Sequence, residues 1–233
     1  MALTVALLGA ESTGKTTVAR DLGRMLAGEG RRVAVVPEYL REFCDTRGRT
    51  PHADEQSGIA REQTRRIDAA AVCHDIVIAD TTALMTAVYS DLLFDDLTLY
   101  PAALDALRGC GLVLVTAVDL PWQADGLQRD GPHARGPVNR LLRAALVQGA
   151  VDHAIVSGNG DARLACALVA VRHALSTPDA VREAKVNPRW QWACDRCSDG
   201  DCERHVLEPP RRFAPAPQGG ANGRPGDPGS VVA

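Results

Sequence analysis

The sequence has no excess of basic charge: its 26 Lys and Arg stand against 29 Asp and Glu, for a formal net charge of −3 over 233 residues. Domains that bind nucleic acid usually carry a basic face. No helix-turn-helix or zinc-finger pattern precedes the first predicted strand. We therefore expect neither a nucleic-acid substrate nor a nucleic-acid partner.

Long apolar runs and an export signal are also lacking. No stretch approaches the ~20 apolar residues that cross a bilayer. The opening MALTVALLGA has no basic start and continues directly into a glycine-rich loop, unlike a secretory leader. Seven cysteines without an export signal indicate reduced thiols or metal ligands. These absences favour a cytoplasmic protein with no membrane partner.

Short apolar, β-branched runs alternate with helical patterns. The runs lie at residues 4–8, 33–36, 76–80, 112–118 and 153–157. Helical patterns occupy residues 15–28, 55–74, 81–90, 101–108, 136–149 and 160–176. Continuous apolar runs of this length are typical of strands buried on both faces of a parallel sheet. The alternation predicts one doubly wound α/β domain over residues 1–180, with about five parallel strands and helices on both faces.

A phosphate-binding loop is predicted directly after the first strand, where GAESTGKT matches the pattern G-x-x-x-x-G-K-[ST]. We expect Lys15 to bridge the outer phosphates of a nucleotide and Thr16 to offer its hydroxyl to Mg²⁺. The predicted nucleotide-binding residues are Gly9, Glu11, Ser12, Thr13, Gly14, Lys15, Thr16 and Thr17. At the end of the third strand, Asp80 is either a second group on the metal side or a helix cap for the segment that begins near Thr82.

An acceptor site is predicted at the end of the second strand, in the segment PEYLREF. The carboxyl edge of an open α/β sheet is where such folds bind ligands. Glu38 there is placed to accept a proton from an attacking hydroxyl and to orient a sugar. Tyr39 is suited to stacking on an aromatic ring and Arg41 to a polar or anionic group. The alternative is a cluster of solvated charges at the start of a helix.

A lid is predicted near residues 119–136, after the fourth strand, in the segment VDLPWQADGLQRDGPHARG. It carries Trp122, Asp125, Arg129 and Arg135, and its glycines and prolines break regular structure. A lid with arginines excludes water and supplies positive charge to a transferring phosphoryl group. Exclusion of water matters only when the acceptor is another molecule, so the segment favours a kinase.

The chain resembles the nicotinamide riboside kinase-like ATPases, the family of the kinase domain of the bacterial NAD biosynthesis regulator. The resemblance covers residues 3–175 and rests on motifs in the same order, namely GAESTGKTT, PEYLREF, DEQSGIAREQ, IADTTALMTAVYS and DLPWQADGLQRDG. It implies an adenylate-kinase-like P-loop fold and the use of ATP with Mg²⁺. The implied reaction is transfer of the γ-phosphate to the 5′-hydroxyl of nicotinamide riboside, in NAD salvage.

The resemblance also implies site residues. Gly14, Lys15 and Thr16 correspond to the groups that hold ATP, and Asp80 to the acid on the metal side. The acceptor segment matches at Glu38, Tyr39 and Arg41, and the lid at Trp122, Asp125 and Arg129. Lids of the family commonly have one residue between the glycine and the arginine, whereas Leu127 and Gln128 both separate Gly126 from Arg129. Arg129 and Arg135 are therefore both candidates for the lid arginine.

Two other functions remain open at this stage. One is a P-loop ATPase or GTPase that acts as a regulatory switch or binds a partner. The other is a kinase of a different nucleoside or small molecule.

The last part of the chain has a different composition. Residues 186–208 hold Cys194, Cys197, Cys202 and His205 in the spacing C-x2-C-x4-C-x2-H, which predicts a closed structural zinc site. A disulfide or a metal-free, redox-sensitive hairpin is the alternative. Trp190 and Trp192 are placed to pin this segment to the main domain or to a second copy in a homo-oligomer. Residues 209–233 are rich in Pro and Gly, which predicts a disordered tail.

Overall fold

A five-stranded parallel sheet forms the centre of the fold in the computed structural model, which describes residues 2–123 and 133–176. The strands are β1 (Leu3–Leu8), β2 (Val33–Val36), β3 (Ile76–Asp80), β4 (Leu112–Thr116) and β5 (Ala154–Val156). Their order is β2-β3-β1-β4-β5, and every neighbouring pair is parallel. The predicted doubly wound α/β class is thus confirmed.

Helices connect the strands on both faces of the sheet. They are α1 (Lys15–Gly28), α2 (Tyr39–Arg47), α3 (Gln56–Cys73), α4 (Ala83–Phe94), α5 (Tyr100–Arg108), α6 (Arg135–Gln148) and α7 (Asp161–Ser176), with a 3₁₀ turn at Ala53–Glu55. The six predicted helical segments are all present. The pattern did not predict α2, whose nine residues follow Glu38 and end at Gly48 in a left-handed conformation with φ 65°.

The core lies on both faces of the sheet, because successive side chains of a strand point to opposite sides. On one face Val5 and Leu7 of β1 pack with Leu22 of α1 and Val171 of α7. On the other, Val77 and Ala79 of β3 pack with Val36 and with Ile67 of α3. Helices thus pack on both faces of the sheet. Polar side chains therefore meet at the carboxyl ends of the strands.

Helix α3 shows how the sequence pattern maps onto this packing. Ile59, Gln63 and Ile67 are buried on one face, whereas Arg61 and Arg65 are exposed, as the spacing predicts. None of the helices in the described ranges combines the length and the apolar character needed to cross a bilayer.

Candidate active site

The loop between β1 and α1 is held in the strained shape that phosphate binding requires. Gly9 has φ 146° and Gly14 has φ 79°, values that residues with a Cβ rarely adopt. A Cβ added at Gly9 would lie 2.1 Å from the hydroxyl of Thr116 on β4. The glycine therefore lets the loop backbone rest directly against the neighbouring strand.

Buried hydroxyls tie this loop to the sheet. Thr13 Oγ1 donates to Ala10 O at 2.7 Å, and its oxygen lies 2.7 Å from Thr116 Oγ1. Thr116 Oγ1 in turn donates to Leu8 O at 3.1 Å. These bonds fix the loop from within, so its backbone N–H groups and the start of α1 are free to face an anion.

Lys15 crosses the same loop. Its ammonium donates to Gly9 O and to Ala10 O, both at 2.9 Å. This places the charge over the concave side of the loop, where the lysine of such loops meets the outer phosphates of a nucleotide.

Two other loop residues connect to distant elements. Tyr89 of α4 donates its phenol to Glu11 Oε1 at 3.2 Å. Ser12 Oγ donates to Gln123 O at 3.0 Å and accepts from Gln123 N at 2.8 Å. The tip of the phosphate loop is thereby fastened to the segment that follows β4, at the start of the predicted lid.

Asp80 has the environment of a metal-side acid. It is the last residue of β3, is 4% exposed, and its Oδ1 has no hydrogen-bond partner among residues 2–123 and 133–176. The helix that follows is capped instead by Thr82, whose hydroxyl accepts from Leu84 N at 3.3 Å. An unpartnered buried carboxylate oxygen is costly unless a ligand or ion satisfies it.

The residues present fit Mg²⁺ held together with a nucleotide. Asp80 and Thr16 line the same recess of about 430 Å³. Within the described ranges, no three His, Cys, Asp or Glu side chains converge as a metal site. Mg²⁺ in phosphoryl-transfer sites takes one or two protein oxygens and completes its shell with phosphates and water, so a donor set of this size suits it.

The main cleft extends from the phosphate loop to the far side of α2. It measures about 1220 Å³. Its lining includes Asn159 and Gly160 of the turn after β5, Gln56 of α3 and several residues of α4. Glu38 and Arg41 line both the cleft and the recess of Asp80.

Two of the three predicted acceptor residues, Glu38 and Arg41, line the cleft. The Glu38 carboxylate lies 3.9 Å from the Arg41 guanidinium, and both side chains are partly exposed. Tyr39 is not one of the residues that line the cleft. Its ring instead lies under the guanidinium of Arg66, 4.4 Å from the ring centroid.

Arg66 belongs to a charged cluster that holds α2 against α3. It donates to Glu42 at 3.0 Å and to Glu62 at 2.8 Å. Hydrogen bonds from Arg65 and Arg66 lower the pKa of Glu62 to about 2. Arg66 therefore joins α2 to α3 through ion pairs with a residue of each helix.

The structure describes part of the predicted lid. Asp125 and Arg129 lie outside the described residues. Trp122 is half-buried but does not line the cleft. Arg135 is the first residue of α6, is buried, and donates from Nη1 to Leu120 O at 3.0 Å. Arg135 does not line the cleft either, and a lid role for it or for Arg129 stays a prediction.

Sequence reasoning missed Arg163 of α7, which is 3% exposed. Its guanidinium donates to Thr13 O at 3.1 Å, to Val156 O at 3.2 Å and, through Nε, to Gly158 O at 2.9 Å. It also pairs with Asp119, which accepts from Gly158 N at 2.8 Å. Arg163 therefore joins the phosphate loop to the ends of β4 and β5. No local pattern marks such a residue.

The predicted zinc ligands, Cys194, Cys197, Cys202 and His205, lie outside the described residues, as do the whole predicted extension (186–208) and the whole tail (209–233). The four cysteines in the described ranges are free thiols.

Comparison with known proteins identifies the fold. A family model described as an AAA domain matches residues 4–163. A solved structure of NadR protein in complex with NR (nicotinamide riboside) is similar with a TM-score of 0.62 and 21% identity, over 76% of this chain and 52% of the NadR chain. The chain thus spans about half the length of that protein.

Other similar structures are those of small-molecule kinases. A deoxyadenosine kinase from M. mycoides with bound dCTP is 13% identical, with a TM-score of 0.46 over 73% of this chain and 100% of that chain. Shikimate kinase from Acinetobacter baumannii in complex with shikimate is 19% identical, with a TM-score of 0.39 over 76% and 94%. No curated protein matches the chain. The family match over residues 4–163, with the parallel sheet and the phosphate loop described above, shows that the chain belongs to the AAA domain family of P-loop proteins, and the resemblance to the kinase domain of NadR is confirmed.

Proposed function

We propose that the chain is an ATP-dependent kinase that phosphorylates the 5′-hydroxyl of nicotinamide riboside. The observation that carries this proposal is the extent of the cleft. At about 1220 Å³ it exceeds the ~300–1,000 Å³ of pockets for one small ligand. Its lining includes the phosphate loop, Glu38, Gln56 of α3 and residues of α4. A cleft of this size has room for a nucleotide and an acceptor side by side.

On the donor side, the chain acts by positioning and by charge. The loop around Gly14 and the start of α1 bind the phosphates through backbone N–H groups, and Lys15 neutralises the charge that spreads over the transferring group. Arg163 keeps the loop in place through Thr13 O. Because phosphoryl transfer has a loose transition state, this preorganisation supplies most of the catalysis.

On the acceptor side, Glu38 is the group that meets the attacking hydroxyl. It stands at the end of β2, immediately before α2, and its carboxylate is partly screened from water. There it orients the 5′-hydroxyl and takes its proton as the new P–O bond forms. Arg41, 3.9 Å away, places positive charge beside the Glu38 carboxylate.

Mg²⁺, when bound with the nucleotide, neutralises charge on the outer phosphates. Thr16 and Asp80 are the residues that would hold it. The buried Asp80 carboxylate also keeps the site negative enough to favour a divalent cation next to the loop.

A second candidate function is a nucleotide-dependent switch that releases phosphate to water. The paired hydrogen bonds between Ser12 and Gln123 favour it, because they connect the phosphate loop to the segment after β4. A phosphate that displaced Ser12 from this pair would alter that segment.

A nucleoside panel separates these functions. The chain is incubated with Mg²⁺, ATP or GTP, and each nucleoside in turn, and products are identified by mass spectrometry while phosphate release is measured. We expect nicotinamide mononucleotide and ADP in equal amounts. Phosphate release at the same rate with and without nicotinamide riboside would establish the switch instead. Phosphorylation of another nucleoside would show that this nucleoside, and not nicotinamide riboside, is the acceptor.

The acceptor role of Glu38 has its own test. In Glu38→Gln the proton acceptor is lost and kcat falls by roughly 10²-fold or more, while KM for ATP stays near wild type. Glu62→Gln on α3 is the control, since Glu62 lines neither the cleft nor the recess and is paired with Arg65 and Arg66. An equal fall in kcat for the two variants would show that Glu38 has no specific role at the acceptor site.

A further inference from the structure

Two buried glutamines lie on one face of α3. Gln56 and Gln63 are each 2% exposed. They are seven residues apart, which is close to two full helical turns, so their side chains share a face about 10 Å apart along the axis. Only one of them has an evident structural role.

The Gln63 side chain forms hydrogen bonds within the fold through both its oxygen and its nitrogen. Its Oε1 accepts from Tyr39 N at 2.7 Å, and its Nε2 donates to Pro37 O at 3.3 Å and to Thr81 O at 3.4 Å. It therefore fastens α3 to the ends of β2 and β3. Gln63 therefore lies level with the carboxyl edge of the sheet, where the phosphate loop and Glu38 also lie.

Gln56 is different. It lines the cleft, and its buried Oε1 has no hydrogen-bond partner in the part of the chain that the structure describes. Buried carboxamide oxygens are ordinarily paired, because losing their contact with water is costly. The fold gains nothing evident from this polar atom, which an apolar side chain of the same length would replace without loss.

The surroundings of Gln56 indicate what such a group would meet. It stands about two turns beyond the sheet edge, and α3 packs against α4, which contributes Met85, Tyr89 and Phe94 to the cleft wall. The same cleft is lined by polar side chains, among them Arg49 and His52. Aromatic and apolar side chains together with a carboxamide suit a flat ring that carries a polar substituent.

We propose that Gln56 determines specificity for the ring of the acceptor. Its carboxamide oxygen accepts a hydrogen bond from an N–H donor on the ring substituent, which in nicotinamide riboside is the amide. The ionised carboxylate of nicotinic acid riboside offers acceptors only, so it pairs with Gln56 only if the carboxamide turns over to present Nε2, and the buried position of the side chain opposes this rotation. The inference rests on the kinase function proposed above.

The test compares two glutamine variants of the full chain. Gln56→Met keeps the length of the side chain and removes the acceptor, and Gln63→Met is the matched control on the same helical face. For each protein kcat/KM is measured with nicotinamide riboside and with nicotinic acid riboside at saturating ATP, together with KM for ATP and the melting temperature.

We expect wild type to prefer the amide by about tenfold or more. Gln56→Met should lose about tenfold in kcat/KM for the amide but little for the acid, with KM for ATP unchanged and the melting temperature unchanged or raised. Gln63→Met should lower the melting temperature, because three partners lose their bonds, and should keep the preference for the amide.

Several outcomes would overturn the proposal. They are an equal rate of wild type on amide and acid, an unchanged preference in Gln56→Met, or a loss of melting temperature in Gln56→Met equal to that of Gln63→Met with the preference intact. If wild type phosphorylates a different nucleoside, the kinase proposal loses its acceptor. The same variants are then compared on that nucleoside and on its analogue without the ring N–H donor, and an unchanged ratio overturns the role of Gln56 alone. Phosphorylation of no acceptor overturns both proposals.

Discussion

Single residues around the cleft carry polar atoms that the fold leaves unpaired. The described residues provide no hydrogen-bond partner for Asp80 Oδ1, Thr81 Oγ1 or Gln56 Oε1. Thr81 also has φ 83°, a left-handed conformation that is rare for a β-branched residue. Strain and unsatisfied groups of this kind cluster at functional sites. Thr81 and Gln56 line the cleft and Asp80 lines the recess that shares Glu38 and Arg41 with it, which agrees with bound ligands that satisfy these atoms.

Lys15 is the residue whose loss should abolish activity with the least damage to the fold. Lys15→Ala removes the charge over the loop but no core volume, so we expect kcat to fall by at least about 10²–10³-fold. The melting temperature should change little. ADP formation and thermal melting measure the two effects, and turnover near that of wild type would exclude the phosphate-loop mechanism.

Asp80 should act through the metal. Asp80→Asn preserves shape and removes the charge, so we expect kcat to fall on the order of 10²-fold at low Mg²⁺, with partial recovery as Mg²⁺ is raised. Titration of the rate with Mg²⁺ measures this. Thr82→Ala removes the observed helix cap and is the control, since it should lower the melting temperature without changing the Mg²⁺ dependence. A defect in Asp80→Asn that no Mg²⁺ concentration relieves would count against the metal role.

At the scale of elements, α7 does more than cover the sheet. Through Arg163 it holds the phosphate loop, the end of β4 and the turn after β5 at once. Burial disfavours ionisation of Asp119, but the Gly158 N–H and the Arg163 charge outweigh it, so the pKa of Asp119 is lowered. The nucleotide end of the cleft is thus shaped by a helix near the end of the described chain.

This bracing predicts a large effect of Arg163→Met. The substitution leaves three carbonyls without their donor and Asp119 without its cation, so the free energy of unfolding should fall by about 2–4 kcal/mol. The matched control is Arg172→Met on the same helix, whose exposed pair with Glu29 is worth less than about 1 kcal/mol. Urea denaturation measures both. An equal loss in the free energy of unfolding for the two variants would show that Arg163 does not stabilise the loop and strand ends as proposed.

At the scale of the whole molecule, ion pairs and hydrogen bonds to carboxylates set the response to acid. The carboxyl groups with lowered pKa include Glu42, Glu55, Glu62, Asp75, Asp96 and Asp119. For Glu55 the pKa falls to about 2, first because of hydrogen bonds from Arg49 and then because of the His52 N–H. Each of these groups binds its proton less readily in the folded chain than in the unfolded one.

The sign of the pH dependence follows from this difference. Between about pH 4.5 and pH 2 the unfolded chain binds more protons, so stability is fully present above this window and declines as pH falls through it. Glu55→Gln removes one contributor, so its stability should depend less steeply on pH in the same window. Urea denaturation at a series of pH values measures the slope, and identical slopes for the two proteins would contradict this assignment.

Local patterns were enough to predict much of the fold. The phosphate loop, five strands and six helices each depend on residues within about twenty positions of one another, where hydrophobic period and glycine placement act directly. Gly9, Lys15 and Asp80 were predicted as site residues for the same reason, because a strand end and a loop define their positions. Helix α2 was missed beyond its start because its short, charged sequence has little apolar periodicity, and packing on α3 stabilises it instead.

The sequence by itself determined the fold class, the phosphate loop and the edge of the sheet at which the candidate site lies. Only the tertiary structure decided which polar side chains are satisfied and which remain for a ligand. Gln56 and Gln63 are the same residue type on the same helical face. Gln63 forms hydrogen bonds because backbone carbonyls at the ends of β2 and β3 lie next to it, whereas the described residues place no partner next to Gln56 Oε1. Arg163 reaches Thr13 across 150 positions of sequence, and Tyr39 packs under an arginine of another helix. Such contacts arise from the burial and crossing of distant elements, and no local periodicity encodes them.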